Sequence, residues 1–319
     1  MDWERRCIRL CGAMVASAIL LRRWAGGVFA PVGRAMAHPR TVAFLLYLHT
    51  GRVVRPLPTP DPPVPALPVE TEGTEPVFTA EDLALVTIDD EPGCNPDAAA
   101  LLAAPTALKL TGGEPKVLIL HTHTTESYTQ TGPRYEETSP YRTLDPGHNM
   151  LALGKIVAEH LESSGIGVIH DTTFHDYPSY NGSYTHARQA IAGYLAEYPS
   201  IRLVLDLHRD AAGEGTTQMK TSATVEGERS AQLMLVVGTN YDTYTENLSL
   251  ALKLHAQLES QCPGITRPLQ LRAARFNQDL SQGALLVEVG AAGNTHAEAR
   301  IAAKELAKAI VALANGTEG

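Results

Sequence analysis

VLILHTHTTE (117–126) and IRLVLDLHRD (201–210) decide the fold. Each is a short apolar run that ends abruptly in histidine and charge. Such runs suit strands buried on both faces of a sheet. Between them, Asn149–Ser164 repeats apolar residues at helical spacing (Leu151, Leu153, Ile156, Val157, Leu161), and Gly165 stops it. A strand is predicted over Ile166–Ile169 and a helix over Gly182–Tyr198. After the second quoted stretch come a hairpin over Thr216–Arg229 and a strand over Leu233–Val237. A helix over Leu248–Gln261 ends at Pro263-Gly264, and a strand over Ala284–Val289 precedes a closing helix, His296–Leu313. Strands alternating with helices predict an α/β fold, a three-layer sheet with helices on both faces. The hairpin predicts that the sheet is mixed. There is no internal repeat.

The chain has 319 residues, 44% apolar and 19% charged, enough to bury a full-sized core. Its net charge of −9 is unevenly placed. Residues 1–55 carry nine arginines against Asp2 and Glu4, a balance of +7, which leaves −16 on the remainder. An acidic body argues against nucleic acid as a partner. A basic, apolar head points to a membrane. Leu10–Leu21 (LCGAMVASAILL) is uncharged but short of the roughly 20 residues that span a bilayer. It reaches that length if Arg9, or Arg22 and Arg23, snorkel to the interface. The preferred reading is a single N-terminal anchor. A cleaved signal, with Ala-Met-Ala at 35–37, and an amphipathic helix are the alternatives. Eight prolines between 56 and 76 form a semi-rigid extended spacer. The expected organisation is an anchor region (1–55), a Pro-rich linker (56–112) and a catalytic domain (113–319). Four cysteines, with no CxxC, exclude a disulfide framework and a zinc ribbon. A single Cys94–Cys262 bridge stays open.

The chemistry gathers where strands end. In open α/β sheets, ligand sites lie beyond the carboxyl ends of strands, so His121/His123 and His208 can converge. His123-x-x-Glu126 has the spacing of an imidazole and a carboxylate that share one metal ion. His208 would supply a third ligand and water the fourth, the open arrangement of a hydrolytic zinc site. Glu288 ends another apolar run. A carboxylate there is costly to bury alone, which marks it as the general acid/base; an edge-strand Glu facing solvent is the ordinary alternative. His121 is the alternative ligand to His123 or a group behind it. Arg209 and Asp210 either pair with each other or support the ligands. His148, His170 and His175 read as loop or surface residues rather than ligands, and Pro178–Tyr184 either contacts substrate or turns the chain into the next helix, the turn being the preferred reading. No nucleophile elbow or phosphate loop is present, which disfavours serine hydrolases and nucleotide enzymes.

Six segments together resemble the stage II sporulation protein P family: HTHTTESY (121–128), NMLALG (149–154), HDYPSYNGSY (175–184), DLHRDA (206–211), FNQDLS (276–281) and ALLVEVG (284–290). The likeness runs from about Lys116 to Leu313. It implies the fold of the zinc-dependent N-acetylmuramoyl-L-alanine amidases (phosphorylase/hydrolase-like). It also implies a peptidoglycan hydrolase with one Zn2+ per chain, which cuts the amide between glycan and stem peptide and also cleaves stem-peptide cross-links. By the same resemblance the enzyme thins the septal wall during forespore engulfment. It is held on the cell membrane with its catalytic domain outside, and works with stage II sporulation proteins D and M. The metal ligands fall on His123, Glu126 and His208, and the catalytic acid/base on Glu288. Related amidases take their ligand Glu from near the start of the next helix, where this chain offers only Asp145 and His148. A metallopeptidase confined to stem peptides, and a catalytically silent wall-binding scaffold, are the alternatives.

Overall fold

The long strands are apolar on both faces, and each face takes its own layer of helices. The structure, a computed structural model, describes residues 77–105, 108–214 and 217–315; the expected anchor and all eight prolines of the spacer lie outside the described residues. A seven-stranded sheet runs in the order β1-β10-β9-β11-β4-β2-β3. Its strands are β1 (Ile88–Asp90), β2 (Pro115–Leu120), β3 (Gly167–His170), β4 (Leu203–Asp210), β9 (Leu233–Gly238), β10 (Leu269–Arg272) and β11 (Ala284–Ala291). Two small hairpins stand apart from it, β5 (Gly213–Glu214) with β6 (Thr217–Gln218), and β7 (Ala223–Val225) with β8 (Glu228–Ser230). The sheet is mixed, but not through a hairpin: β9 runs antiparallel to β11 while every other neighbour pair is parallel.

On β4, Leu203, Leu205 and Leu207 join the larger core, as do Val117 and Ile119 of β2 and Leu285, Val287 and Val289 of β11. Helices α3 (Met150–Ser163), α5 (Tyr244–Gln261) and α6 (His296–Asn315) cover this face. Met150, Leu153, Val157 and Leu161 give α3 its buried stripe, and the Asn149 side chain caps it by accepting the Leu151 N–H. The opposite face packs Leu118, Leu120 and Val204 against Ala187 and Ile191 of α4 (Ser183–Glu197). Residues of the same parity further along, Asp206, His208 and Glu288, therefore emerge on the α4 side.

Two short helices, α1 (Ala80–Leu83) and α2 (Ala98–Ala103), flank β1. Because β1 pairs with β10, the folded unit reaches back beyond the expected boundary at residue 112. Cys94 is exposed, Cys262 is buried and both are free thiols, so the bridge left open by the sequence is absent. No helix among the described residues is long and apolar enough to cross a membrane.

Candidate active site

β2, β4 and β11 run parallel, and their carboxyl ends open on one edge of the sheet. Glu288 lies directly beside His208 in register. β11 sits between β9 and β4, so Glu288 is on a central strand and the edge-strand alternative is corrected. The chain leaves β2 into a tight turn that carries His123 and Glu126. The His123 and His208 rings meet edge to face with centroids 5.3 Å apart, and Glu126 Oε2 lies 3.9 Å from His208 Nδ1. All four residues singled out by the sequence are thus brought together.

Buried charges here are held by specific partners. Asp206, which the sequence reading passed over, accepts the Thr122 N–H (2.8 Å) and O–H (2.6 Å) and lies 2.9 Å from His208 Nε2. Burial works against the charged His208 ring, but Asp206, with Glu288 and Glu126, more than offsets it and raises its pKa to about 9. Burial pushes the Glu288 carboxyl well above the carboxylate range, Glu126 and Asp210 add to this, and His208 opposes it. Burial, with His208 and Arg142 nearby, holds His123 neutral, at about 3. Glu126 accepts from the Arg209 backbone N–H (3.1 Å) and from Arg142 Nη2 (3.3 Å). Arg142 also donates to Asp176 Oδ2 at 2.7 Å, and Asp176 accepts the Thr125 hydroxyl at 2.6 Å.

His121 does not face this site. Its Nδ1 pairs with the Leu207 carbonyl at 3.1 Å and its Nε2 with His170 Nε2 at 2.9 Å. The pair sits against Gly154 of α3, where a Cβ would fall 2.4 and 2.5 Å from the two Nε2 atoms. The chain turns after Leu120, so the extended-strand geometry that would aim His121 with His123 is not kept. Arg209 and Asp210 do not pair with each other. Arg209 holds Glu126, Ser127 and Tyr141, while Asp210 meets Arg267 at 2.6 Å. His175 lies in a turn, as read, but is buried and bound to Asp171 at 2.9 Å, whereas His170 ends strand β3 and is neither loop nor surface. Pro178–Tyr184 is more than a turn: Tyr180 stacks on His123 at 4.7 Å and Tyr184 meets the same ring edge-on at 5.5 Å. Asp145 and His148 pair with each other at 2.8 Å.

Whether a metal fits can be judged from unpartnered atoms. Among the described residues six buried side-chain N or O atoms lack a hydrogen bond, and three are His123 Nδ1, His208 Nε2 and Glu288 Oε2. His208 Nε2 is within ion-pair reach of Asp206 without making a hydrogen bond to it. Two imidazoles and a carboxylate are the donor types zinc takes. Yet no group of three or more His, Cys, Asp or Glu among the described residues stands ready to hold an ion. The Glu126 oxygens are turned toward Arg142 and Arg209, and His208 Nε2 toward Asp206.

The sequence profile of the family described as Stage II sporulation protein P (SpoIIP) matches residues 70–311. This chain belongs to the SpoIIP family. It is 31% identical over 211 residues to the Stage II sporulation protein P of Bacillus subtilis (strain 168), covering 62% of this chain and 50% of that one. The SpoIIP chain described here thus spans about half the length of that curated relative. Among solved structures it is similar to the N-acetylmuramoyl-L-alanine amidase AmiC2 of Nostoc punctiforme (14% identity, 64% of this chain, 96% of that chain, TM-score 0.38). It is likewise similar to an N-acetylmuramoyl-L-alanine amidase from Clostridium difficile 630 (16% identity, 63% and 95% covered, TM-score 0.38). Likeness at this level carries no chemistry. For this SpoIIP member the chemistry rests on its own residues, of which Asp206, Arg142, Asp176, Tyr180 and Tyr184 were not legible as a set. Asp206 had a signal in its shared parity with His208 on β4, and Asp176, Tyr180 and Tyr184 lie in the HDYPSYNGSY segment of the resemblance, while Arg142 had none.

Proposed function

We propose that this chain is a sporulation cell-wall hydrolase that cleaves the amide between the muramoyl lactyl group and L-alanine of peptidoglycan, with one zinc ion held by His123, Glu126 and His208. The observation that carries the reading is the meeting of those three residues with Glu288 at the ends of β2, β4 and β11. Two buried atoms without any partner, His123 Nδ1 and Glu288 Oε2, lie among them, and His208 Nε2 has only its ion-pair contact with Asp206. Bound there, zinc supplies Lewis acidity to the scissile carbonyl and acidifies water.

The remaining steps belong to the chain. Glu288 has a proton affinity raised by burial and a shielded, unpartnered oxygen. Those properties suit it to take a proton from the attacking water and pass it to the departing amine near neutral pH. Asp206 keeps the His208 ring and the His123 turn in fixed relation through Thr122. Arg142 and the Arg209 amide orient Glu126. Cleavage of stem-peptide cross-links is a second activity of the same site, because both bonds are amides. Membrane attachment through residues 1–55, action at the sporulation septum, and partnership with stage II sporulation proteins D and M complete the proposal.

Zinc content and wall digestion of the wild type, His123→Ala and Glu288→Ala test it together. The wild type should hold about one zinc per chain. His123→Ala should lose it, and Glu288→Ala should keep it without digesting wall. Zinc retained by an active His123→Ala protein would overturn the ligand assignment. No zinc in any form would bring the silent scaffold forward.

A further inference from the structure

Beside the site lies a cleft of ≈ 460 Å3 whose lining includes Thr138, Ser139, Arg142, Asp176, Tyr177 and Tyr180. Its volume is within the roughly 300–1,000 Å3 of small-ligand pockets. Two large rings stand open in it: Tyr177 is 48% and Tyr180 55% exposed. Both belong to one short stretch, although large side chains seldom stay exposed together without a partner. The stretch is fixed from below. Asp176 accepts the Thr125 hydroxyl at 2.6 Å and Arg142 Nη1 at 2.7 Å, and Tyr180 stacks on His123 at 4.7 Å. Arg142 lies 4.8 Å from the Tyr180 ring centroid. Tyr180 is thereby committed to the wall between cleft and site, and Tyr177 is left as the open platform.

Charge decides what such a platform takes. The Arg142 guanidinium already faces two carboxylates, Asp176 at 2.7 Å and Glu126 at 3.3 Å. The floor has no spare positive charge for an anionic ligand, so a peptide carboxylate gains little there. What remains is an aromatic face, the hydroxyls of Thr138 and Ser139, and one guanidinium shared by two carboxylates, whose excess negative charge turns anions away while its donors and acceptors stay available. That combination matches a neutral polyhydroxylated ring, whose C–H face packs on an aromatic and whose hydroxyls hydrogen-bond around it.

We propose that the Tyr177 cleft is a saccharide subsite that holds a pyranose of the glycan strand next to the scissile amide. The inference rests on the reading of the adjoining site as a peptidoglycan hydrolase, and it deepens that reading. A glycan held here puts the glycan–peptide amide, rather than a peptide cross-link, over Glu288.

The test is binding of chitotetraose, a neutral peptide-free N-acetylglucosamine oligomer, to the full chain by NMR titration. The companions are Tyr177→Ala and Tyr177→Phe. The wild type should bind, Tyr177→Ala should weaken binding by about tenfold, and Tyr177→Phe should bind as wild type. Tyr177 is exposed, so both variants should keep the wild-type fold, checked in the same spectra. Absence of binding in the wild type, or equal binding by Tyr177→Ala, overturns the proposal. So does a loss confined to a free stem peptide used as a second probe. Wall digestion is measured in parallel. Saccharide binding through Tyr177 in a protein that digests nothing refutes the hydrolase and leaves the subsite; digestion without saccharide binding does the reverse.

Discussion

Replacing Asp206 with Asn removes one charge from the centre of the site and little volume. The carboxylate receives two short hydrogen bonds from Thr122 and stands 2.9 Å from His208 Nε2. An amide offers one acceptor oxygen, so one Thr122 donor loses its partner, at about 1–3 kcal/mol. Breaking a buried ion pair adds about 3–5 kcal/mol when counted alone. The two losses share one group and do not add, so the expected cost is about 3–5 kcal/mol. For a folded unit of this size that lowers Tm by on the order of 10 °C. The pH dependence follows from the pair. Asp206 is held below its ordinary 3.8 despite burial, chiefly by His208 and Thr122. His208 is raised from 6.5 to about 9, mainly by Asp206 against burial. The pair therefore contributes fully between those ordinary values. Its contribution fades as pH falls through the lowered carboxylate pKa, and fades again as pH rises from 6.5 through about 9. Urea unfolding of chelator-treated wild type and Asp206→Asn, at pH 5.5 and pH 9.5, measures both effects. Asp210→Asn is the control, because the Asp210–Arg267 pair is partly exposed and should cost under about 1 kcal/mol. An Asp206→Asn protein within about 0.5 kcal/mol of wild type at pH 5.5 would refute the reasoning.

Glu288→Gln should stabilise the metal-free protein at alkaline pH. Burial raises the folded-state pKa of Glu288, so wild-type stability falls as pH rises from the ordinary carboxyl range through that raised value, and Gln removes the slope. Thermal melts from pH 5 to 9 should show the two proteins converging at low pH. Gly154→Ala should cost about 1–3 kcal/mol, because its Cβ meets the His121 and His170 rings. In a His170→Ala background the penalty should shrink, and equal penalties in both backgrounds would remove the explanation. Cys94 should react with a thiol reagent in the folded protein and Cys262 only after unfolding. Equal protection of both would contradict the exposure of Cys94.

How much was legible in the sequence depends on how each group is placed. β2, β4, β9 and β11 announce themselves because strands buried on both faces must be continuously apolar. Edge strand β1 (IDD) and its neighbour β10 (LQLR) are short and polar, and they leave no such trace. The antiparallel run of β9 is a matter of topology, and an apolar hexamer carries no direction. His123, His208 and Glu288 were visible because each follows an apolar run, although β4 continues past His208 to Asp210 and β11 past Glu288 to Ala291. Asp206 could have been found two residues before His208, on the same side of β4. Arg142, Asp176 and Tyr180 reach the site from loops between β2 and α4, where no periodicity fixes direction. His121 misled because strand alternation was carried past Leu120 into a turn.

The central claim is that this site hydrolyses the glycan–peptide amide. Mass spectrometry of purified peptidoglycan digested by the full chain with zinc, beside Glu288→Gln, tests it most directly. The account predicts peptide-free glycan together with stem peptides bearing a new amino-terminal alanine, and neither product from Glu288→Gln. Cross-linked peptides cut internally while every glycan keeps its stem, or products unchanged in Glu288→Gln, would contradict it.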